Sequence, residues 1–289
     1  MFLGFLLIIF INILNGNEYI PVVHLLINDQ TESMEVSNGQ GACTGTILGG
    51  RFILTAAHCV FTMTHCENNL REHLKHLVIP VRRIRVEYDT YCASVKHDCP
   101  GKEHSKFARV KKMYIHNSYV DYNCQEGDLA ILELDQDIGD RAMGVNTNKY
   151  VFPKTLIGFG FGDNPIKKEN TFQLQNEDFN VTKCLHARVP RGVFCTDEHV
   201  INFCKGDSGG PLMTSDRIIY GVVSGGTDCE YLKNMFRRGK RRLFAGNINF
   251  SVASFLNFIC SVVQQDRKNP VYGCEKYKNV FNSEIIQVL

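Results

Sequence analysis

The chain contains no tryptophan, and after its first fourteen residues it contains no second long apolar run. Fourteen residues are fewer than the roughly 20 that a helix needs to span a bilayer. The run is typical of the apolar region of a secretory signal peptide. We therefore expect residues 1–16 to be a signal peptide that is cleaved at Gly16, and no integral membrane segment after its removal.

The sequence also lacks an excess of either charge, because 32 Lys and Arg face 30 Asp and Glu for a net charge of +2. This balance gives no argument for binding nucleic acid, and we predict none. One stretch departs from it, since residues 233–242 hold six basic side chains in ten. We expect an exposed loop there, either simply solvated or a contact for acidic proteins and polyanionic glycans.

Neither C-x-x-C nor H-x-x-x-H spacing occurs, although common structural zinc sites use such pairs. The twelve cysteines are an even number, so they favour a disulfide framework and an oxidising compartment over zinc sites. A bond between Cys260 and Cys274 would hold the C-terminal tail in place. Sequence alone does not assign the pairing of six cysteines: Cys66, Cys92, Cys99, Cys124, Cys260 and Cys274.

The most informative stretch is residues 204–211, with the sequence Cys-Lys-Gly-Asp-Ser-Gly-Gly-Pro. Gly206, Gly209 and Gly210 permit backbone angles and close approaches that a Cβ would block. Such a turn presents Ser208 as a nucleophile and aims the N–H groups of Gly206 and Ser208 at one point. Two converging N–H groups are what an oxyanion needs during acyl transfer. The alternative is a glycine-rich hairpin beside a disulfide bond.

Two further residues complete a candidate site. His58 lies in Thr-Ala-Ala-His-Cys, after two short apolar strands, and a bond between Cys43 and Cys59 would hold its turn. Asp128 stands at the head of the apolar run Leu-Ala-Ile-Leu-Glu-Leu. Either residue alone is more typical of a surface position. Together with Ser208 they form a set that has a base, a carboxylate and a nucleophile.

These motifs, in the order His, Asp, Ser, closely resemble those of the trypsin/chymotrypsin family of serine proteases over roughly residues 20–260. The resemblance implies an all-β fold of two antiparallel Greek-key β-barrels with a C-terminal helix. We expect an N-terminal barrel with a cysteine-containing insertion over 17–137, and a second barrel with the helix and tail over 138–289. The long segment 60–112 resembles a trypsin-like group that is expanded in nematodes.

The resemblance implies a role for each residue of the set. His58 would act as base and then as acid, and Asp128 would fix its tautomer and stabilise the imidazolium. Ser208 would attack the peptide bond, and the N–H groups of Gly206 and Ser208 would form the oxyanion hole. We expect a secreted, monomeric endopeptidase that hydrolyses peptides or proteins through an acyl-enzyme, with no metal and no organic cofactor.

Resemblance also predicts the substrate groove. The base of the primary pocket would be Asn202, which is neutral, so cleavage after Lys or Arg is disfavoured. Asn247 would occupy a wall position where glycine is common, and the edge strand would end at Ser224, Gly225 and Gly226. Further disulfide bonds are expected between Cys184 and Cys195 and between Cys204 and Cys229. The sequon at Asn180 lies in an expected polar loop and is a glycosylation candidate, whereas the sequon at Asn249 is expected to be unmodified.

Three departures from the family pattern keep a second class of function open. No Lys or Arg precedes Cys43, so the usual cut that frees a new amino terminus for Asp207 has no site. Phe159 and Gly225 stand where the family usually has tryptophan, which removes one wall of the groove. The alternative is a weakly active or inactive secreted binding protein on a protease scaffold.

Overall fold

The fold is given by a computed structural model, which describes residues 21–27, 41–61, 70–93, 105–139, 143–163, 173–199, 201–238, 245–266, 268, 270–277 and 285–288. Three groups of predicted features lie outside the described residues: the signal peptide at 1–16, the cysteines Cys66 and Cys99, and positions 239–242 of the basic segment.

Six antiparallel strands form the first barrel: β1 (Val22–Ile27), β2 (Gly41–Ile47), β3 (Phe52–Thr55), β4 (Ile84–Tyr88), β5 (Lys106–His116) and β6 (Ala130–Leu134). Their order around the barrel is β1, β2, β3, β6, β5, β4, and β4 pairs again with β1. Three consecutive strands with the fourth beside the first make a Greek key.

The second barrel repeats this topology. Strand β7 (Gly144–Val145) leads to six antiparallel strands: β8 (Thr155–Gly160), β9 (Gln175–Thr182), β10 (Val193–Thr196), β11 (Pro211–Met213), β12 (Ile218–Gly225) and β13 (Asn247–Ser251). Their order is β8, β9, β10, β13, β12, β11, closed by pairing of β11 with β8. The predicted all-β class with two antiparallel Greek-key barrels is therefore confirmed.

The described part of the chain contains four short helices: α1 (Leu70–Leu77), α2 (Asn117–Asp121), α3 (Cys229–Arg237) and α4 (Leu256–Val263). Single 3-10 turns cover Ala57–Val60, Val81–Arg83 and Val252–Phe255. A last strand, β14 (Ile285–Val288), pairs with β5 of the first barrel. Within the described ranges, no helix has the length and apolarity to cross a membrane.

The burial pattern explains which strands form the barrel walls. Strands β3 and β6, with the sequences Phe-Ile-Leu-Thr and Ala-Ile-Leu-Glu-Leu, are buried along their whole length. Strand β9 alternates between exposed and partly buried residues, and Phe179 is its one fully buried side chain. Phe179 stacks on Phe203 at 4.2 Å between ring centroids, inside a small cluster that fills the second barrel. Apolar burial of this kind is the main favourable contribution to folding.

Disulfide bonds join four pairs of described cysteines: Cys43–Cys59, Cys184–Cys195, Cys204–Cys229 and Cys260–Cys274. The expected disulfide framework is thus confirmed, and the structure adds the last pair, which sequence did not assign. Cys92 and Cys124 are disulfide-bonded as well. The bond at Cys260 ties α4 to the segment that follows it.

Two local predictions are wrong. Residues 233–237 of the basic segment belong to α3 and not to a loop, because the Asp228 side chain accepts from the Tyr231 N–H and caps the helix, and Leu232 is buried beneath it. Asn180 lies in strand β9 and not in a loop, and its exposed side chain donates to Asp197 at 2.7 Å. Asn249, in contrast, is fully buried in β13.

Replacing Phe179 by alanine should lower the free energy of unfolding by about 3–5 kcal/mol, because the ring is 1% exposed and leaves a cavity beside Phe203. Urea unfolding followed by circular dichroism measures the change. The control is Leu185→Ala, at a side chain that is 49% exposed, with an expected change within about 0.5 kcal/mol. Equal effects in the two variants would contradict the assigned core.

Candidate active site

The turn that carries Ser208 depends on its glycines. Gly206 has φ +103° and Gly209 has φ +84°, a region that residues with a Cβ adopt rarely. At Gly210 the backbone angle is ordinary, but a Cβ would lie 2.2 Å from the carbonyl oxygen of Phe159. The glycine turn predicted from the sequence is therefore present. A positive φ favours glycine at two of its positions, and a close backbone approach favours glycine at the third.

Thr44 of β2 anchors this turn to the first barrel. Its N–H donates to the Ser208 carbonyl oxygen at 2.8 Å, and its hydroxyl donates to the Gly206 carbonyl oxygen at 2.8 Å. The same hydroxyl accepts from the Phe161 N–H at 3.1 Å. With both carbonyls turned toward Thr44, the N–H groups of Gly206 and Ser208 donate to no other group within the described part of the chain. They are therefore free to serve an oxyanion.

His58 lies in the 3-10 turn Ala57–Val60, directly after β3. The Cys43–Cys59 disulfide bond joins this turn to β2, so the backbone that carries the imidazole is covalently held. The imidazole is 28% exposed, which leaves it accessible to a bound substrate.

Asp128 receives three hydrogen bonds and is 4% exposed. One carboxylate oxygen accepts from the His58 backbone N–H at 2.8 Å, and the other lies 2.7 Å from His58 Nδ1 and accepts from Ser224 Oγ at 2.6 Å. The preceding Gly127 has φ +64°, and a Cβ there would lie 2.1 Å from Ser118 Oγ. Both the backbone angle and the lack of space for a Cβ therefore favour glycine directly before Asp128.

These contacts set the ionisation of the pair. Burial acts to raise the pKa of Asp128, but the charge and hydrogen bonds of His58, together with the Ser224 hydroxyl, outweigh it and hold the pKa below 3.8. Burial lowers the pKa of His58, but the charge and hydrogen bond of Asp128 prevail and raise it above 6.5. The carboxylate therefore favours the imidazolium, which is the state that His58 would reach after taking a proton from Ser208.

Asp207 is buried against two glycines. Its carboxylate accepts from the N–H groups of Gly162, at 2.7 Å, and Cys204, at 2.8 Å. A Cβ at Gly160 would lie 2.0 Å from one of its oxygens. Burial raises the pKa of Asp207 to about 7, the two N–H groups oppose this, and the charge of Asp163 adds to it. Asp163 and Asp207 both line a cavity of about 280 Å³.

The expected substrate edge is the end of β12. Ser224 binds Asp128, and the next residue, Gly225, has open space where a side chain would stand, with no atom within 4 Å of an added Cβ. At Gly226 a Cβ would lie 2.2 Å from Asn247 Oδ1. The edge is therefore open at Gly225 and closely packed at Gly226.

Asn202 and Asn247, which the resemblance assigns to the primary pocket, meet near this edge. Asn247 Nδ2 donates to Asn202 Oδ1 at 2.7 Å, and both side chains are buried. The sequence did not mark Glu198, whose carboxylate lies beside them and accepts from Thr227 N–H at 2.6 Å and from Gly246 N–H at 3.1 Å. No motif surrounds Glu198, so only the fold brings it to the pocket.

One group of metal-binding residue types occurs within the described ranges, namely Cys43, His58 and Cys59. Both sulfur atoms belong to one disulfide bond and offer no thiolate, so this group does not fit a zinc ion.

A pair of Greek-key barrels with this site at their junction defines the class of trypsin-like serine proteases. The family model described as Trypsin matches residues 27–236, and the chain belongs to this family. A solved structure of the scabies mite inactivated protease paralogue S-I1 matches with a TM-score of 0.60 at 19% identity, covering 85% of this chain and 96% of that one. At this identity the match supports the fold alone.

Several curated proteins are similar in sequence. Mannan-binding lectin serine protease 1 of Rattus norvegicus is 29% identical over 214 residues, which cover 66% of this chain and 29% of that protein. Hypodermin-A of Hypoderma lineatum is 27% identical over 66% of this chain and 70% of its own length. Trypsin-like protease try-5 of Caenorhabditis elegans is 28% identical over 66% of this chain and 69% of its own length.

Replacing Asp128 by asparagine should lower kcat by about 10⁴, because the amide cannot hold the His58 tautomer or stabilise its charged form. Turnover of a peptide ester measures the loss, and Asp216→Asn, at an exposed turn residue of the second barrel, is the control. A loss below tenfold would show that Asp128 does not act on His58 during turnover.

The pKa of Asp207 predicts how stability depends on pH. A carboxyl group with a folded pKa of about 7 and an ordinary value of 3.8 binds more protons in the folded chain. Its contribution is fully present below about pH 4 and is lost as the pH rises to about 7. Urea unfolding between pH 5 and pH 8 should show a fall in stability that is smaller in Asp207→Asn. An equal fall in the two proteins would contradict the raised pKa of Asp207.

Proposed function

We propose that the chain is a secreted serine endopeptidase that hydrolyses peptide bonds with His58, Asp128 and Ser208. The single observation that carries this proposal is the set of hydrogen bonds at the Asp128 carboxylate. It binds the His58 backbone N–H, His58 Nδ1 and the Ser224 hydroxyl at the same time. Asp128 is 4% exposed and accepts three hydrogen bonds from residues of two barrels, which is not typical of a surface aspartate.

In the proposed mechanism His58 removes the Ser208 proton as the hydroxyl oxygen attacks the substrate carbonyl carbon. The carbonyl oxygen becomes an oxyanion between the N–H groups of Gly206 and Ser208. The imidazolium then gives its proton to the leaving amine, which departs and leaves an acyl-enzyme. Water, activated by the same imidazole, hydrolyses that ester and restores the Ser208 hydroxyl.

Secretion and specificity belong to the same proposal. Disulfide bonds persist in oxidising compartments, which supports an extracellular protein. The neutral Asn202 at the expected pocket base supports a preference other than for Lys or Arg, since that position lacks the carboxylate that would pair with a buried cation. The basic side chains that follow Lys233 would provide a contact for acidic proteins or glycans.

Fluorophosphonate labelling of the secreted protein tests the proposal, because the reagent reacts only with a serine whose base and oxyanion hole are assembled. We expect the label on Ser208, and we expect none in Ser208→Ala. The matched control is Ser254→Ala, at an exposed serine in the same barrel region, which should label normally.

Absence of label from a folded and processed chain would contradict the proposal. It would favour the alternative of a binding protein on the protease scaffold. Sequencing the amino terminus of the labelled sample identifies which residue, if any, has been freed to approach Asp207.

A further inference from the structure

Beneath Gly226 lies a buried polar cluster of three side chains, Glu198, Asn202 and Asn247. They are 8%, 6% and 0% exposed. A Cβ at Gly226 would meet Asn247 Oδ1 and Glu198 Oε1, and Gly226 is two residues beyond Ser224, whose hydroxyl binds Asp128. A substrate side chain that follows this edge would approach the cluster.

Two atoms of this cluster have no hydrogen-bond partner within the described residues, and they differ in kind. Asn202 Nδ2 is a donor, and Asn247 Oδ1 is an acceptor. Each belongs to an amide whose other atom forms the 2.7 Å bond between the two side chains, so one bonded pair of amides holds both free atoms. Buried polar atoms are paired in most proteins, and leaving both unpaired is costly.

The cluster leaves little room for a long basic side chain. Glu198 carries the nearest carboxylate, and its oxygens accept from Thr227 N–H, Thr227 Oγ1 and Gly246 N–H at 2.6 to 3.1 Å. These bonds connect the residues after β12 to the start of β13. Asn247 packs against Gly226, since its Oδ1 would lie 2.2 Å from a Cβ on Gly226. A long basic side chain would therefore have to displace Asn247 to reach the Glu198 carboxylate.

We propose that the primary pocket selects a carboxamide side chain, asparagine or glutamine, at the residue before the cleaved bond. A carboxamide presents one acceptor for Asn202 Nδ2 and donors for Asn247 Oδ1, so it satisfies both free atoms at once. An apolar side chain of equal size would leave both atoms unpaired. A site built to hydrogen-bond a substrate group discriminates strongly against analogues that lack the group.

This inference rests on the proposed function, and its first test uses enzyme whose active-site concentration has been set by fluorophosphonate titration. Peptides that differ at one position compare asparagine with leucine and glutamine with methionine, pairs of similar size. We expect kcat/KM to favour each carboxamide by roughly tenfold for each buried atom that gains a partner, and arginine to be cleaved more slowly than either. Equal rates within a pair, or a preference for arginine, would overturn the inference.

A variant locates the preference in the cluster. Asn202→Asp keeps the acceptor for Asn247 Nδ2 but removes the free donor and adds charge, so the carboxamide preference should fall at least tenfold and arginine should gain. Asn257→Asp, at an exposed helical residue, adds the same charge and should change neither. Thermal unfolding verifies that both variants fold. An unchanged preference in folded Asn202→Asp would contradict the role of this donor.

Binding separates failure of this inference from failure of the proposed function. Calorimetry with Ser208→Ala and product peptides that end in asparagine, leucine, glutamine or methionine requires no catalysis. Selective binding of the carboxamide peptides supports the inference even where labelling of Ser208 fails. Labelling without selective binding overturns the inference and leaves the proposed function standing.

Discussion

The hydrogen bonds at Asp128 are the interaction on which the site depends, because they join the two barrels at a single carboxylate. His58 contributes two nitrogens from the first barrel, and Ser224 contributes its hydroxyl from the second. Removing any one donor would leave a buried charge less well satisfied. Thr44 supplies the second connection, since it fixes the Ser208 turn of the second barrel to β2 of the first. His58, Asp128 and Ser208 are thus positioned by the same barrel junction.

Asp207 represents the opposite electrostatic situation to Asp128. Both carboxylates are buried, but Asp128 faces an imidazole. Within the described ranges, Asp207 accepts from two backbone N–H groups alone and lies near a second acid, Asp163. The pKa values therefore move in opposite directions, below 3.8 for Asp128 and to about 7 for Asp207. A neutral Asp207 carboxyl can remain buried without a nearby cation, because only a charged carboxylate would require one.

Features that short sequence motifs encode could be predicted, whereas contacts between residues far apart in the sequence could not. The glycines around Ser208 carry a local steric signal that identified the turn, and the resemblance carried by the His58, Asp128 and Ser208 motifs implied the barrel class. The bond between Asn202 and Asn247 joins residues 45 positions apart, and Glu198 has no motif, so neither contact could be read locally. The helical structure of residues 233–237 was not predicted, because the capping residue Asp228 and the buried Leu232 precede the basic run. Asn180 was misplaced because polar residues dominate β9, where Phe179 alone is fully buried.

If the proposed mechanism holds, Ser208 at the junction of the two barrels forms an acyl-enzyme. Rapid mixing with a chromogenic ester whose acyl group is hydrolysed slowly detects this intermediate, because product released in the first turnover counts assembled sites. We expect a burst of about one product per folded chain and a matching acyl mass on the peptide that contains Ser208. Linear release without a burst, with no acyl group on Ser208, would rule out acyl transfer to this serine.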